Sequence, residues 1–235
     1  TGETYGTLQG AVDAVADEQT ITLLKDIDFT EDEIITTGIS NRDFTLDLNG
    51  FTLNGGSGSS SLIQHNNAGT LTITDSQTGG KITSNRASST AQGTIAVTAN
   101  GSLIIDGGTV ENTLDYIELG TDAGIAVNNR GTGYVRINNG TVSASFAAIF
   151  NNSSGSVIVN DGTITGEGNG IYNTSSGSVT VSGGDFCSNG KNARGILVAG
   201  SGSVTVSGGT LSPIGENANA IYIGVQPPLQ FPTAR

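Results

Sequence analysis

The side chains best placed for chemistry are Asp75 and Asp106. They stand at or near the same corner of two neighbouring sequence copies, GTLTITDSQ (69–77) and GSLIIDGGT (101–109). Two carboxylates about 5 Å apart are what a retaining glycosidase uses, one as nucleophile and one as acid and base. Against that, other copies carry Asn or Ser at the same corner: Asn49, Asn138, Asn160, Ser182 and Ser207. Short polar side chains stacked at a corner bond to turn backbone along the stack. Asn49, Asp106, Asn138 and Asn160 are therefore expected to be structural. His65, in IQHNN, is the single histidine, so no Ser-His-Asp or Cys-His arrangement can be built around a second one. A surface turn is its expected place. Cys187 is alone, which rules out an internal disulfide, and a small buried strand position is expected for it. Asp26 and Asp28 flank Ile27 without the glycine and distal glutamate of a calcium loop.

A second constellation suits binding. Tyr134 and Arg136 alternate outward on GYVRINNGT (133–141), and Asp115, Tyr116, Glu118 and Asp122 fall in a preceding insertion. Exposed aromatics stack on sugar rings and nearby polar groups set orientation. If the insertion folds over the strand, Tyr116, Tyr134, Arg136, Asp115, Glu118 and Asp122 form one polar-aromatic site.

These residues are carried by a repeat. GSVIVNDGT (155–163) returns as GSVTVSGGD (177–185) and GSVTVSGGT (202–210), with earlier copies at 133–141, 101–109, 69–77 and FTLDLNGFTL (44–53). Taking Leu46, Leu71, Leu103, Val135, Val157, Val179 and Val204 as equivalent, the steps are 25, 32, 32, 22, 22 and 25 residues. Each copy alternates apolar with small or polar residues, the period of a strand buried on one face. A second apolar strand precedes each of the later copies, as at Ile149, Ile171 and Ile196, and a further inward residue follows, as at Ile82, Val110, Val142, Ile164 and Phe186. A unit of about 22 residues with three short strands cannot bury its apolar face alone and must stack. The pattern predicts an all-β, parallel β-helix solenoid. Seven copies would span about 34 Å at the strand spacing. The longer steps imply looped-out insertions at Arg86–Gln92 and Asp115–Ala123.

Thr7–Ala16 reads as a short amphipathic helix with Thr7 as N-cap and Leu8, Ala11, Val12 and Val15 on one face. It would cover the open end of the stack. The organisation is a single domain over 1–235, with a cap at 1–20, coils at 21–224 and a tail at 225–235 containing Pro227, Pro228 and Pro232.

The segment LQGAVDAV…ITLLKDIDF…FTLDLNGFTL, followed by GTLTITD…GGKIT, resembles the right-handed β-helix regions of bacterial cell-surface proteins in the pectate-lyase-like superfamily. The resemblance runs from about Leu8 to Ile223 and implies a right-handed solenoid. That superfamily holds lyases, hydrolases, adhesins and stalks, so the fold does not name the activity. Polygalacturonase-like members carry Gly-His-Gly and Arg-x-Lys, and both are absent here. Lyase members use an arginine base beside calcium-binding acids, for which only Arg136 and Asp106 are on offer.

Composition sets the remaining bounds. A net charge of −12 disfavours nucleic acid, which selects basic surfaces. No apolar run is long enough to span a membrane. An acidic, Thr-, Ser- and Asn-rich surface suits an extracellular, secreted or bacterial cell-surface location. The absence of methionine suggests a segment of a longer exported precursor. The expected role is non-enzymatic: an adhesin-type segment that displays loops or acts as a rigid spacer, needs no cofactor or metal, and meets a glycan or a protein on a host or neighbouring cell. The alternatives are a polysaccharide lyase or glycoside hydrolase, and an ice- or glycan-binding flat face. A regular Thr-x-Thr array would mark an ice-binding plane, but one copy alone has it and Arg136 interrupts the face.

Overall fold

The computed structural model of the chain describes residues 2–38, 41–87, 93–115 and 124–224. Each coil turns through three faces. The first face runs through Gln19–Thr22, Phe44–Asp47, Thr70–Thr74, the front of Ser102–Asn112, the front of Val135–Ala144, Val157–Val159, Val179–Val181 and Val204–Val206. The second face follows each of these after a sharp corner. The third face is an eight-stranded sheet from Ile35–Thr36 to Asn219–Ile223. Every pairing between described strands is parallel, and the coils form a right-handed β-helix. The seven motif copies and the coil before them make eight turns.

Alternation decides which side chains go inside. Val135, Val157 and Val179 sit in register on one inward file, and Ile137, Val159 and Val181 on another, all essentially without solvent contact. Val142, Ile164 and Phe186 form a third file below the corner. Together with Ile149, Ile171 and Ile196 they make one continuous apolar core along the rod. Each fully buried branched side chain contributes about 1.5–3 kcal/mol of transfer free energy, and no single coil can supply it alone.

Two glycine positions in each repeat have separate causes. A Cβ at Gly177 would lie 2.0 Å from the carbonyl oxygen of Gly155 on the coil beneath, so the stack closes only without a side chain there. Gly184 turns the corner at φ +86°, a conformation in which a Cβ is strained.

The helix spans Leu8–Ala14, with the Thr7 hydroxyl accepting from Gly10 N at 3.1 Å. Leu8, Val12 and Val15 point into the core and close the first coil. The Gln9 side chain extends the third face: its Nε2 donates to Thr36 O and its Oε1 accepts from Thr36 N, both at 2.9 Å. Arg42 reaches up from the second coil and donates to the helix-end carbonyls of Val12, at 3.3 Å, and of Val15. Cations favour that end of a helix because its last carbonyls are unpaired.

Three expectations are corrected. Cys187 is exposed, because alternation after the buried Phe186 turns it outward. His65 is fully buried on the inward side of Ile63–His65. Arg86 does not loop out with the insertion it begins. It is buried at the corner between the second and third faces, where its guanidinium donates to Gly55 O at 2.8 Å, Glu33 O at 2.6 Å and Ser60 O at 3.3 Å. The planar fork makes four hydrogen bonds to three carbonyls on two coils, one more than the three donors of a lysine could make. Residues 88–92 and the tail at 225–235 lie outside the described residues.

Candidate functional site

Tyr134 and Arg136 stand on the outward side of the first face, two residues apart on one strand edge. The Arg136 guanidinium carbon lies 4.6 Å from the Tyr134 ring centroid, a cation–π contact. Below them the face forms a shallow depression lined by Glu18, Asp43, Thr45, Thr70, Thr72, Ile104 and Tyr134. Its shape comes from the register. Thr45, Thr72, Ile104 and Arg136 form one outward file, with Ile158, Thr180 and Thr205 above them. Asp43 and Glu18 close the lower rim at the corner from the third face to the first. Asp43 is oriented there by Thr70 N, which donates to its Oδ1 at 2.7 Å, while its own N–H donates to Asp17 Oδ1 at 2.8 Å. The result is a strip with carboxylates at one end, threonine hydroxyls and an isoleucine in the middle, and an aromatic-guanidinium pair at the other. Such a strip offers hydrogen-bond acceptors, donors and an apolar plate together, as hydroxylated ligands require.

The other residues predicted for this site divide. Asp115 is exposed after the second-face strand, at the corner between the second and third faces, away from Tyr134 and Arg136. Leu114 beside it is held by the Ser145 hydroxyl, which donates to its carbonyl. Tyr116, Glu118 and Asp122 lie outside the described residues.

The corner residues bond along the rod. Asn160 Nδ2 donates to Asn138 Oδ1 at 2.9 Å, and the Ser182 hydroxyl donates to Asn160 Oδ1 at 3.2 Å. Asn49 Nδ2 donates to Leu23 O at 2.9 Å. Asp75 accepts Gly50 N on one carboxylate oxygen and Gly80 N on the other, both at 2.7 Å. A Cβ at Gly107 would lie 3.1 Å from Asp75 N, so the next coil packs closely against the Asp75 backbone. Asp106 is exposed at a bulge where the register between Ser102–Asn112 and Val135–Ala144 shifts. Asp75 therefore has each oxygen engaged by a backbone N–H, one of them from the coil below. Asp26 and Asp28 serve similarly, accepting from Thr52 N at 2.8 Å and from Asn54 Nδ2 at 3.0 Å. Among the described residues, no three His, Cys, Asp or Glu side chains could hold a metal ion together. No described helix is long and apolar enough to cross a membrane.

Sequence reasoning missed a buried polar file. His65, Val97, Asn129, Asn151, Asn173 and Val198 occupy one register position of the third face. Asn151 Nδ2 donates to Gly155 O at 2.8 Å and to Asn173 Oδ1 at 3.1 Å, while Asn129 reaches Gly133 O at 3.3 Å. His65 meets the same partner four residues on: Nε2 lies 3.0 Å from Gly69 O, and Nδ1 lies 3.1 Å from the Thr37 hydroxyl. The neutral ring with its proton on Nε2 fits both, donating to Gly69 and accepting from Thr37. Burial holds the His65 pKa below its usual value, opposed by the backbone contact with Gly69. The signal was an Asn or His four residues before the motif glycine, at 65, 129, 151 and 173. A third-face aromatic cluster was missed as well: Phe146, Phe150 and Tyr172 have ring centroids 5.2–6.5 Å apart.

No protein-family model, curated protein or solved structure matches the chain.

Proposed function

We propose that this chain is a non-enzymatic β-helical segment of an extracellular, adhesin-type surface protein of the pectate-lyase-like kind. In this reading it holds a ligand-contact face at a fixed position on a rigid rod, and that face is the strip from Asp43 to Tyr134 and Arg136. The observation carrying the reading is the engagement of its candidate catalytic groups. Asp75 accepts from Gly50 and Gly80, one backbone N–H on each oxygen, and His65 is buried between Thr37 and Gly69. Both groups are engaged in bracing neighbouring coils. Tyr134 and Arg136, in contrast, are partly exposed at one end of a strip that continues through threonine hydroxyls to carboxylates at the other. That chemistry suits a glycan, whose ring faces are apolar and whose edges are polar.

A glycan-array screen of the purified chain, run beside reducing-sugar release from acidic and neutral polysaccharides, tests this. Binding without sugar release is expected. Tyr134→Ala should weaken binding about tenfold or more while leaving the melting temperature within about 2 °C, because the ring lies outside the core. Sugar release would overturn the non-enzymatic reading. Silence in both assays would leave a spacer and remove the glycan strip.

A further inference from the structure

We propose that Asn139 is a site of spontaneous covalent modification, where the chain's own backbone converts the asparagine to aspartate and isoaspartate. Six asparagines are followed by glycine, at 49, 54, 100, 139, 169 and 189. In five of these pairs the fold ties up one member. Gly50 N donates to Asp75 Oδ1 at 2.7 Å, Gly55 N to Thr83 O at 2.8 Å, Gly101 N to Thr98 O at 3.1 Å and Gly190 N to Glu167 O at 2.8 Å. Asn169 is only 2 % exposed. Asn139 differs. Its side chain is exposed, and Gly140 N donates to the Oδ1 of Asn139 itself at 2.8 Å. Because Cγ is bonded to Oδ1, this contact holds the amide nitrogen of Gly140 beside the side-chain carbonyl carbon of Asn139. Those are the two atoms that must meet, and holding reacting atoms in contact is what raises a rate.

The stack imposes the glycine of this pair. A Cβ at Gly140 would lie 2.5 Å from the carbonyl oxygen of Gly108 on the coil below, and the residue turns the corner at φ +85°. The matching glycines 108, 162, 184 and 209 follow Gly107, Asp161, Gly183 and Gly208, so of these five coils one alone sets an asparagine before the corner glycine. Asp161 repeats the contact, accepting from Gly162 N at 2.8 Å, and there the side chain is already a carboxylate. The reaction needs only water. Gly140 N gives up its proton to hydroxide and bonds to Asn139 Cγ. The Cγ–Nδ2 bond breaks and ammonia leaves, closing a cyclic imide. Water then opens the ring at either carbonyl. Opening at Cγ yields aspartate, and opening at the main-chain carbon yields isoaspartate, which lengthens the backbone by one methylene. Both products add a negative charge to the corner.

Peptide mapping by mass spectrometry, with isoaspartate-specific methyl labelling, tests the proposal on the full chain aged at mildly alkaline pH. In the folded chain, conversion at Asn139 should outpace each of the other five asparagines by about tenfold or more, since contact geometry sets the rate. The rate should rise with pH, as removal of the amide proton requires. In guanidinium, where the fold no longer ties up any pair, the six should react at similar rates. Asn139→Gln moves the carbonyl carbon one methylene farther along the side chain and should abolish conversion at 139. The side chain is exposed, so the far-UV circular dichroism of this variant should be unchanged. Equal rates at all six positions in the folded chain overturn the proposal. So does slower conversion at 139 in the folded chain than in the unfolded one, or isoaspartate forming first at another of the pairs.

Discussion

The two ends of the rod solve the same problem differently. At the N-terminal end the core is sealed by Leu8, Val12 and Val15, the edge is bonded by Gln9, and the helix carbonyls are held by Arg42. In the last described coil the same kinds of file end at Val206, Ile221 and Ile223, which are exposed. The contrast shows that stacking alone does not finish a solenoid. A repeat satisfies only its neighbours, so an end needs an element that departs from the repeat. The helix, Gln9 and Arg42 are such departures, and no described residue of the last coil plays that part.

The largest expected effect separates the middle from the open end. Val157→Asp buries an unpaired carboxylate in the sealed core and should cost more than about 4 kcal/mol, or abolish folding. Val206→Asp adds the same group where solvent reaches it and should cost less than about 1 kcal/mol. Chemical denaturation of the two variants gives the comparison directly, and similar losses would show that the last coil is as closed as the rest.

Removing the cap comes next. Arg42→Ala strips charged donors from the carbonyls of Val12 and Val15 and should lower stability by about 1.5–3 kcal/mol in the same assay. Gln9→Ala removes two bonds at the partly exposed edge and should cost about 1 kcal/mol. It should also speed amide exchange at Thr36 more than anywhere in the sealed middle. Unchanged exchange there would mean that the helix closes the end without its glutamine.

The smallest effect is a pH dependence. His65 lies on the file that ends, six coils later, at Ile223. Its pKa is lower folded than unfolded, so below the unfolded value of about 6.5 the unfolded chain binds more protons. Its contribution is complete above that pH and declines as pH falls toward the folded pKa, by up to about 1.4 kcal/mol per pH unit. His65→Asn keeps a donor for Gly69 and carries no titratable group. The difference between wild type and variant in thermal melts should therefore fall away from pH 7.5 to 5.5 (a flat difference would place the His65 ring in solvent).

Much of this was legible before any coordinates. The period-2 alternation of Val157–Val159 and Val179–Val181 dictates which side chains turn inward, and equal spacing forces like residues into one file. Asn138, Asn160 and Ser182 were readable as a corner ladder for the same reason, since short polar groups at a repeated turn have each other as nearest partners. The N-cap at Thr7 was legible because capping depends on residues within one turn of chain. Arg86, His65 and Cys187 were not. Arg86 looks like the start of a hydrophilic loop until Gly55, Glu33 and Ser60 are brought around it from earlier coils. His65 reads as a turn residue until its register with Asn129 and Asn151 is known.

The sequence by itself determined the solenoid, its three faces and the content of its core, because alternation, glycine spacing and helix capping are local rules repeated at each coil. Only the tertiary structure decided which polar groups brace the rod and which face outward. Asp75 and Asp43 carry the same carboxylate, yet the first accepts Gly50 N and Gly80 N at a corner while the second stands exposed at the rim of an open strip. The exposure of Val206, Ile221 and Ile223 in the last described coil was likewise decided there. A repeat motif reads the same in the middle of a stack as at its end, and what differs is whether another layer lies against it.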